Sequence, residues 1–440
     1  MGLLDPLRRV RSALPHGTVG VGGGLLLLGV SSYVYVTAST RALDPNEFAA
    51  LSVLYTLVFT VGPGLFLPLE QELGRAIAHR RALGEGGGPV VRRASALGAA
   101  LLAVLLVTGI ALWQPMSDRL FDGASSLQAA LLAALVALFG AHLTRGGLAG
   151  LGRFPSYGRQ LAVEGASRAL LCIALVIAGV SAVGWYGWLL PAGLGLSVLA
   201  TARHTRGMLA PGVPAEWAEL SQALALLLVG ALMAQLLINA APIVVKLQAN
   251  DAQRADAGRL LAGMVLTRIP LFLFGAVQAA LLPGLAAALG RGDRSGFLRR
   301  LRRLSAVLAG VCGLSVLIAA TVGTEVMRIL FGARYELSSA VLAGLAAACS
   351  FYILASVFVQ SLVALRRYGF ATITWVTGVV VFFVSLLLPG TLITSVTVAF
   401  LIGTAAAFVV ALLLLVIAWR ISGRGAGAEP DFLPVATVET

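Results

Sequence analysis

The sequence predicts an all-α polytopic membrane protein with twelve transmembrane helices arranged in two six-helix lobes. Three observations support this fold class: the apolar composition, the recurrence of apolar runs of bilayer length, and the concentration of basic residues in alternate loops. Hydrophobic residues make up 59% of the 440 residues and charged residues 12%, whereas soluble domains have about 45–50% and about 25%. This composition excludes a soluble globular domain, a disordered chain and a disulfide-rich secreted scaffold.

The apolar runs define the spans, because a helix needs about 20 apolar residues to cross the hydrocarbon core. Runs such as 99–106 (AALLAVLL) do not alternate between apolar and polar residues, which favours helices over the strands of a membrane barrel. The predicted spans are 17–40, 48–69, 95–113, 125–144, 160–180, 184–201, 220–245, 260–284, 304–322, 338–365, 371–389 and 393–419. The first run is too long for a signal peptide and lacks a cleavage site, so we interpret it as a retained span.

The basic residues predict the orientation, since they accumulate in cytoplasmic loops. If the N-terminus is inside, 23 of the 32 basic residues fall in inner segments, seven in outer segments and two, Arg168 and Arg268, within spans. We therefore expect a multi-pass protein of the bacterial cytoplasmic membrane with both termini cytoplasmic. The net charge of +13 is then a topology signal, and no exposed soluble module is present that would bind nucleic acid.

Weak internal similarity indicates two halves. An ungapped shift of 207 residues pairs Pro63 with Pro270 and lays spans two and three on spans eight and nine. We expect a cytoplasmic segment 1–16, lobes at 17–210 and 211–420, and a cytoplasmic tail 421–440. A proline within a membrane helix frees a backbone carbonyl, so both prolines should face protein or a cavity rather than lipid.

Polar residues inside spans are the candidate substrate site, because they are costly there and usually face the bundle interior. The candidates are Arg268, Arg168, Arg145, Glu164, Gln235, Asn239, Gln278 and Arg75. We hypothesise that Arg268, Arg168 and Arg145 form an internal cationic surface for an anionic headgroup, since arginine donates two hydrogen bonds to phosphate.

Structural alternatives remain open for several of these residues and for Lys246. Glu164 and Arg168 lie one helical turn apart and can pair with each other, and Glu164 is also a candidate partner for Arg268. Arg75 and Arg145 can serve as anchors at the cytoplasmic interface. Lys246, the single lysine, is expected to extend its amine to the outer surface.

Residues 290–304 (GRGDRSGFLRRLRRL) contain six arginines, four of which (Arg299, Arg300, Arg302 and Arg303) lie between apolar residues at helical spacing. This pattern predicts an amphipathic cytoplasmic helix that lies along the bilayer and binds anionic membrane lipids. The alternative is a role in loading an anionic lipid substrate.

The sequence predicts no cofactor, no metal site and no enzymatic activity. It contains no nucleophile–base pair, no phosphate-binding glycine loop followed by lysine and no cluster of metal ligands. The glycines at 20–24 (GVGGG) are interpreted as a loosely packed helix start. Cys172, Cys312 and Cys349 lie in apolar runs and are predicted to be small buried residues.

Several segments resemble polysaccharide flippases of the multidrug/oligosaccharidyl-lipid/polysaccharide (MOP) exporter superfamily. They are 41–55 (RALDPNEFAALSVLY), 145–168 (RGGLAGLGRFPSYGRQLAVEGASR), 237–246 (LINAAPIVVK), 266–285 (LTRIPLFLFGAVQAALLPGL) and 329–335 (ILFGARY). The resemblance covers most of the chain at low identity. It implies a V-shaped pair of lobes around a partly cationic cavity, in which Arg268, Arg168 and Arg145 could match the family's basic residues.

The same resemblance implies a function. Such proteins move polyprenyl-diphosphate-linked oligosaccharides from the inner to the outer leaflet by alternating access, for cell-surface polysaccharide biosynthesis. A glycan polymerase or glycosyltransferases are the expected protein partners.

Four alternatives stay open. They are an ion-coupled multidrug or small-molecule exporter of the same superfamily, a lipid II flippase, a membrane glycosyltransferase or ligase, and a non-transporting scaffold. Glu164 is the only carboxylate within the predicted spans, which favours an anionic substrate over a cationic drug.

Overall fold

In the computed structural model, which describes residues 18–217, 220, 224–271, 274, 285, 289 and 293–424, every regular element is a helix. Fourteen helical elements are labelled here in chain order. They are α1 (Thr18–Ala42), α2 (Pro45–Ala82), α3 (Gly88–Ala111), α4 (Trp113–Phe121), α5 (Ser125–Gly150), α6 (Phe154–Ile177), α7 (Val183–Thr201), α8 (Leu224–Gln248), α9 (Asp256–Thr267), α10 (Arg294–Thr321), α11 (Gly323–Phe331), α12 (Ser339–Ala364), α13 (Tyr368–Ser385) and α14 (Leu392–Arg424).

The predicted all-α membrane architecture is confirmed. Eleven helices of the described chain are long and apolar enough to cross a membrane. The predicted eighth span, 260–284, is represented by α9, and most of its later residues lie outside the described ranges. Several helices extend beyond the apolar runs, because hydropathy detects the bilayer-crossing part and not the polar turns that continue a helix into water.

Two short helices, α4 and α11, were not predicted. Both are amphipathic, and both follow a long membrane helix directly. The helix α11 begins 210 residues after α4, Gly323 against Trp113, which is close to the shift of 207 residues that pairs the two halves in the sequence. This correspondence supports the proposed division into two related lobes.

The helix α2 is irregular where the sequence reads Gly-Pro-Gly. Residues Pro45–Val61 and Leu67–Ala82 are α-helical, and Gly62–Phe66 between them forms a π-helical turn. Pro63 has no N–H, so it cannot bond to the carbonyl of Phe59. That carbonyl instead accepts a hydrogen bond from Asn239 Nδ2 of α8 at 3.4 Å. The freed carbonyl thus faces protein, as predicted.

A similar irregularity occurs before Pro270. The α-helix α9 ends at Thr267, and Arg268 N bonds to Val265 O in a tighter, three-residue turn at 3.2 Å. The two prolines paired by the sequence shift therefore both lie where a regular α-helix is interrupted.

In the first half, α1 packs against α6, and α6 packs in turn against α7. The helices α2 and α7 both pack against α5. The second half packs through α12 and α13 against α14, α10 against α12, and α8 against α13. The halves meet where α8 and α9 pack against α2. The chain between α7 and α8, which contains the predicted lobe boundary at 210/211, packs on the first half through Arg80 to Val213 O (2.8 Å) and Gly88 N to Ala210 O (2.9 Å).

The start of α1 packs tightly against α6 at Gly20 and Gly24, which corrects the prediction of a loose helix start there, while Gly22 and Gly23 have open space beside them. A Cβ on Gly24 would lie 2.5 Å from Gly158 O, and a Cβ on Gly158 would lie 2.2 Å from Gly20 O. Because membrane helices gain most from close backbone approach, small residues suit this contact.

We expect Gly158→Ala to destabilise the protein by about 1–3 kcal/mol, because the added methyl group forces α1 away from α6. Gly23→Ala, in the same part of α1 but exposed, is the matched control, since a Cβ there meets no atom within 4 Å. Thermal unfolding in detergent would measure both. Equal melting temperatures for the two variants would contradict the tight α1–α6 contact.

The basic segment 290–304 forms no separate surface helix in the described residues 293–304. Instead, α10 runs without a break from Arg294 through the predicted ninth span. Asp293 caps it by accepting a hydrogen bond from Gly296 N at 2.7 Å, which is the main reason that the pKa of Asp293 is lowered. Phe297, Leu301 and Leu308 are buried on one face while the arginines stay exposed, so the amphipathic pattern marks a buried stripe of a membrane helix.

Candidate functional site

The strongest candidate is Arg168 of α6, which is buried within the first half against α1 and α2. Its side chain is 3% exposed, and Nη2 donates to the hydroxyls of Ser31 (3.1 Å) and Ser32 (3.0 Å) on α1. The guanidinium also lies over the ring of Phe59, 5.4 Å from its centroid. Nε has no hydrogen-bond partner, and no carboxylate in the described ranges forms an ion pair with this residue.

The possible pair between Glu164 and Arg168 is not formed. Glu164 binds Arg145 of α5 instead, and both side chains are buried. Glu164 and Arg168 lie on the same side of α6, but they contact different helices. Glu164 contacts the guanidinium of Arg145 in α5, and Arg168 contacts the serine hydroxyls of α1. Arg145 is therefore neither an interface anchor nor an uncompensated cation, and Glu164 is not the partner of Arg268.

Arg268 lies at the end of α9 and is partly buried. It donates to the carbonyl of Ile238 in α8. This carbonyl has no helical hydrogen bond, because the residue four positions later is Pro242, which has no N–H. The Nε of Arg268 has no hydrogen-bond partner. Within the described chain Arg268 thus satisfies a backbone carbonyl and has no ion-pair partner among carboxylates.

Gln235 and Asn239 join these residues into one site. Asn239 Nδ2 donates to Gln235 Oε1 at 3.2 Å and to Phe59 O at 3.4 Å, while the Phe59 ring lies beneath Arg168. Tyr55 stacks on Phe59 with centroids 4.3 Å apart. We call this group the central site; its residues are Arg168, Arg268, Gln235, Asn239, Phe59 and Tyr55.

The other predicted residues do not join the central site. Arg75 is half-exposed and lies 2.9 Å from Glu72 in the cytoplasmic part of α2. Gln278 lies outside the described residues. Lys246 does not extend to the surface as predicted: its side chain is 3% exposed and forms an ion pair with Asp122 across the two halves.

Sequence reasoning missed a second polar cluster, within the first half. Glu70 of α2 is 4% exposed; it binds His142 Nδ1 at 2.7 Å and accepts a hydrogen bond from Tyr157 at 2.6 Å. The signal was available, because His142 lies inside the predicted fourth span and a histidine at that depth needs a polar partner. Glu70 lies within the candidate span Pro45–Ala82, so Glu164 is not the only buried carboxylate in a candidate membrane helix.

The described residues contain no group of three or more histidine, cysteine or acidic side chains placed to hold a metal ion. Cys172, Cys312 and Cys349 are free and buried, as predicted.

Several contacts between the halves lie at the face that the sequence predicts to be extracytoplasmic. Arg41 donates to Ile329 O at 2.6 Å, Phe48 meets Tyr335 edge-on, and Lys246 pairs with Asp122. These outer contacts hold the halves together beyond the central site, so access from that face requires them to break.

The comparisons with known proteins agree with this fold. No protein-family model matches the chain. Among curated proteins, the uncharacterized protein Rv3630 of Mycobacterium tuberculosis is 28% identical over 411 residues, covering 89% of this chain and 93% of the relative. A second uncharacterized M. tuberculosis protein, Rv1510, is 28% identical over 402 residues, covering 89% of each chain.

Solved structures define the fold class. An inward-facing multidrug resistance MATE family transporter of the MOP superfamily matches with a TM-score of 0.68 and 15% identity, over 92% of this chain and 96% of that one. An outward-facing MATE structure matches with 0.67 and 14% identity, over 92% and 95%. The MATE transporter VcmN of Vibrio cholerae matches with 0.65 and 16% identity, over 92% and 95%. This multi-pass membrane protein therefore has a fold like that of these MATE transporters.

Proposed function

We propose that this protein is a transporter that moves a polyprenyl-diphosphate-linked oligosaccharide from the inner to the outer leaflet of the cytoplasmic membrane by alternating access. The observation that carries the proposal is Arg168, a buried cation without a carboxylate partner in the described chain, which lies against Phe59 of α2, the helix that packs on the second half. A buried charge without a counterion is costly, and such residues in membrane spans generally mark substrate pathways.

The chemistry of the central site suits an anionic substrate. Arg168 and Arg268 each have an Nε without a hydrogen-bond partner, and a diphosphate offers several acceptor oxygens to such donors. Gln235 and Asn239 add amide groups that can bond to phosphate or sugar hydroxyls. The rings of Tyr55 and Phe59 provide apolar surface beside them.

Alternating access fits the positions of the contacts. The outer contacts close one face, and the interruptions at Pro63 and Pro270 place irregular backbone in two helices that meet at the interface. Irregular backbone at membrane depth is tolerated where it faces protein or a cavity, and it is common at transporter sites.

We expect Lys246→Glu to slow transport, because opposed carboxylates at positions 122 and 246 repel and prevent the outer face from closing. Hydrogen bonds to charged groups contribute about 1.5–3 kcal/mol, so the closed state should lose roughly 10- to 100-fold in population. The exchanged double variant, D122K with K246E, should recover most of the rate in proteoliposomes.

The control for this experiment is Arg254→Glu, which reverses a charge in the exposed Arg254–Asp251 pair on the same face. It should transport like the unmodified protein. An exchange variant as slow as Lys246→Glu alone would show that the pair has no role in closing the outer face.

A second candidate function is an ion-coupled multidrug or small-molecule exporter. Two observations favour it: the solved structures with this fold are multidrug transporters, and Glu70, His142 and Tyr157 form a buried titratable cluster of the kind that can exchange protons. The central site argues against it, since its charged side chains are arginines, which repel cationic drugs.

One experiment separates the two functions. The purified protein is reconstituted in proteoliposomes with a fluorescent polyprenyl-diphosphate glycan, and in parallel with a fluorescent cationic drug under an imposed proton gradient. We expect leaflet translocation of the glycan and no accumulation of the drug. Drug accumulation without glycan translocation would establish the exporter instead, and inactivity toward both would leave neither proposal standing.

A further inference from the structure

A groove of about 470 Å³ lies at the cytoplasmic end of the second half, away from the central site. It is formed between α10, α12 and α14. Its apolar walls are Leu298, Leu301, Phe358, Leu412, Leu415 and Val416. Val416 and Leu412 are 42% and 40% exposed, so the groove opens sideways from the protein toward the space that lipid would occupy.

The rim of the groove is cationic. Arg302 of α10 and Arg420 of α14 line it, and both are exposed. No acidic residue occurs among the described residues that line it. The hydroxyl of Ser305 lies in the same lining, buried and without a hydrogen-bond partner, and so offers a donor to an acceptor inside the groove.

The groove is also held in shape. The rings of Phe297 and Trp419 stack with centroids 5.0 Å apart. Arg294 lies 4.3 Å from the centroid of Trp419 and donates to the carbonyls of Trp419 and Ser422, each at 3.0 Å. The start of α10 is therefore fixed to the end of α14, and these contacts define one end of the groove.

The position of the groove selects the class of ligand. Apolar walls that open toward the hydrocarbon, below arginines at the membrane interface, match the two parts of a phospholipid, its acyl chain and its phosphate. Arg299 and Arg303 are exposed on the same stretch of α10 and add to the positive field. This field favours a headgroup with net negative charge over a zwitterionic one.

We propose that the groove binds one anionic phospholipid of the cytoplasmic leaflet, with an acyl chain along Leu412 and Val416 and the phosphate at Arg302 and Arg420. The bound lipid tethers the junction of α10 and α14 to the inner leaflet. This site is separate from the central site, and its occupancy does not depend on which substrate the protein transports.

The test uses the full-length protein in nanodiscs of phosphatidylcholine with a minor fraction of phosphatidylglycerol. Native mass spectrometry then counts the lipids that stay bound. We expect one phosphatidylglycerol to be retained. The double variant R302Q/R420Q should retain it roughly 10- to 30-fold less, since each arginine contributes about 1 kcal/mol to anionic lipid binding.

Two further variants sharpen the test. Val416→Trp should block the groove without disturbing the core, because this position is 42% exposed. R203Q/R206Q removes two exposed arginines of another predicted cytoplasmic segment and should retain lipid like the unmodified protein. Attachment of a maleimide dye to the three buried cysteines on heating confirms that each variant is folded.

Three results would overturn the proposal. They are equal retention of phosphatidylglycerol by R302Q/R420Q and the unmodified protein, equal retention of phosphatidylcholine, and displacement of phosphatidylglycerol by a polyprenyl phosphate at equal abundance. The last result would reassign the groove to the lipid carrier of the substrate.

Discussion

Replacement of Arg168 by methionine is expected to reduce glycan translocation at least about 30-fold while leaving the protein as stable as before, or more stable. Truncating one partner of a buried, hydrogen-bonded charge interaction costs about 2–5 kcal/mol, which corresponds to roughly 30- to 1,000-fold or more in affinity. Stability should not fall, because the guanidinium is buried without a carboxylate partner in the described chain and methionine fills a similar volume.

These opposite effects distinguish a substrate site from a structural residue. If Arg168 mainly held α6 to α1 through Ser31 and Ser32, the methionine variant would melt at a lower temperature and lose transport only through loss of folded protein. The translocation assay and thermal unfolding should be run on the same preparations. Arg168→Lys keeps the charge but loses the planar fork, so we expect intermediate transport.

The control for Arg168 is Arg119→Met, which removes an exposed arginine of α4 and should affect neither measurement. Normal translocation by Arg168→Met would contradict the proposed role of this residue. A lower melting temperature with proportionate loss of transport would return Arg168 to a structural role.

Glu164→Leu is expected to destabilise the protein by about 3–5 kcal/mol, because it leaves Arg145 buried without a counterion. The paired variant R145M/E164L replaces both charges by apolar groups and should recover most of the lost stability, since apolar replacements of buried ion pairs are often neutral. Dye attachment to the three buried cysteines provides the unfolding signal.

The same pair of variants tests whether Arg145 contacts substrate. The structure places Arg145 in an ion pair, so R145M/E164L should translocate glycan nearly as well as the unmodified protein once it is folded. A double variant that folds but does not transport would show that Arg145 contacts the substrate, as the sequence predicts. Equal stability of Glu164→Leu and the unmodified protein would contradict the buried pair itself.

Much of the candidate site could be recognised from the sequence. Arg168, Arg268 and Asn239 were identified because a polar side chain within an apolar run has to find a partner inside the protein. Their partners could not be identified in the same way. Asn239 bonds to a carbonyl 180 residues earlier in the chain, and Arg268 bonds to one freed by Pro242 on another helix.

One prediction about charged residues failed and one open alternative was excluded, both for the same reason. Lys246 binds Asp122 and does not reach the surface, and Glu164 binds Arg145 and not Arg168. In each case the spacing along the chain was interpreted correctly. The outcome was decided by which side chains the adjacent helix presents at the same depth.

The sequence by itself determined that this is a helical, multi-pass membrane protein, and it located most of the spans. Hydropathy is a local property, because the bilayer acts on each window of about 20 residues separately. Only the tertiary structure decided which buried charges are neutralised and which are not. That outcome depends on helix packing between distant segments, which leaves Arg168 with hydroxyls and aromatic rings while Arg145 and Lys246 receive carboxylates.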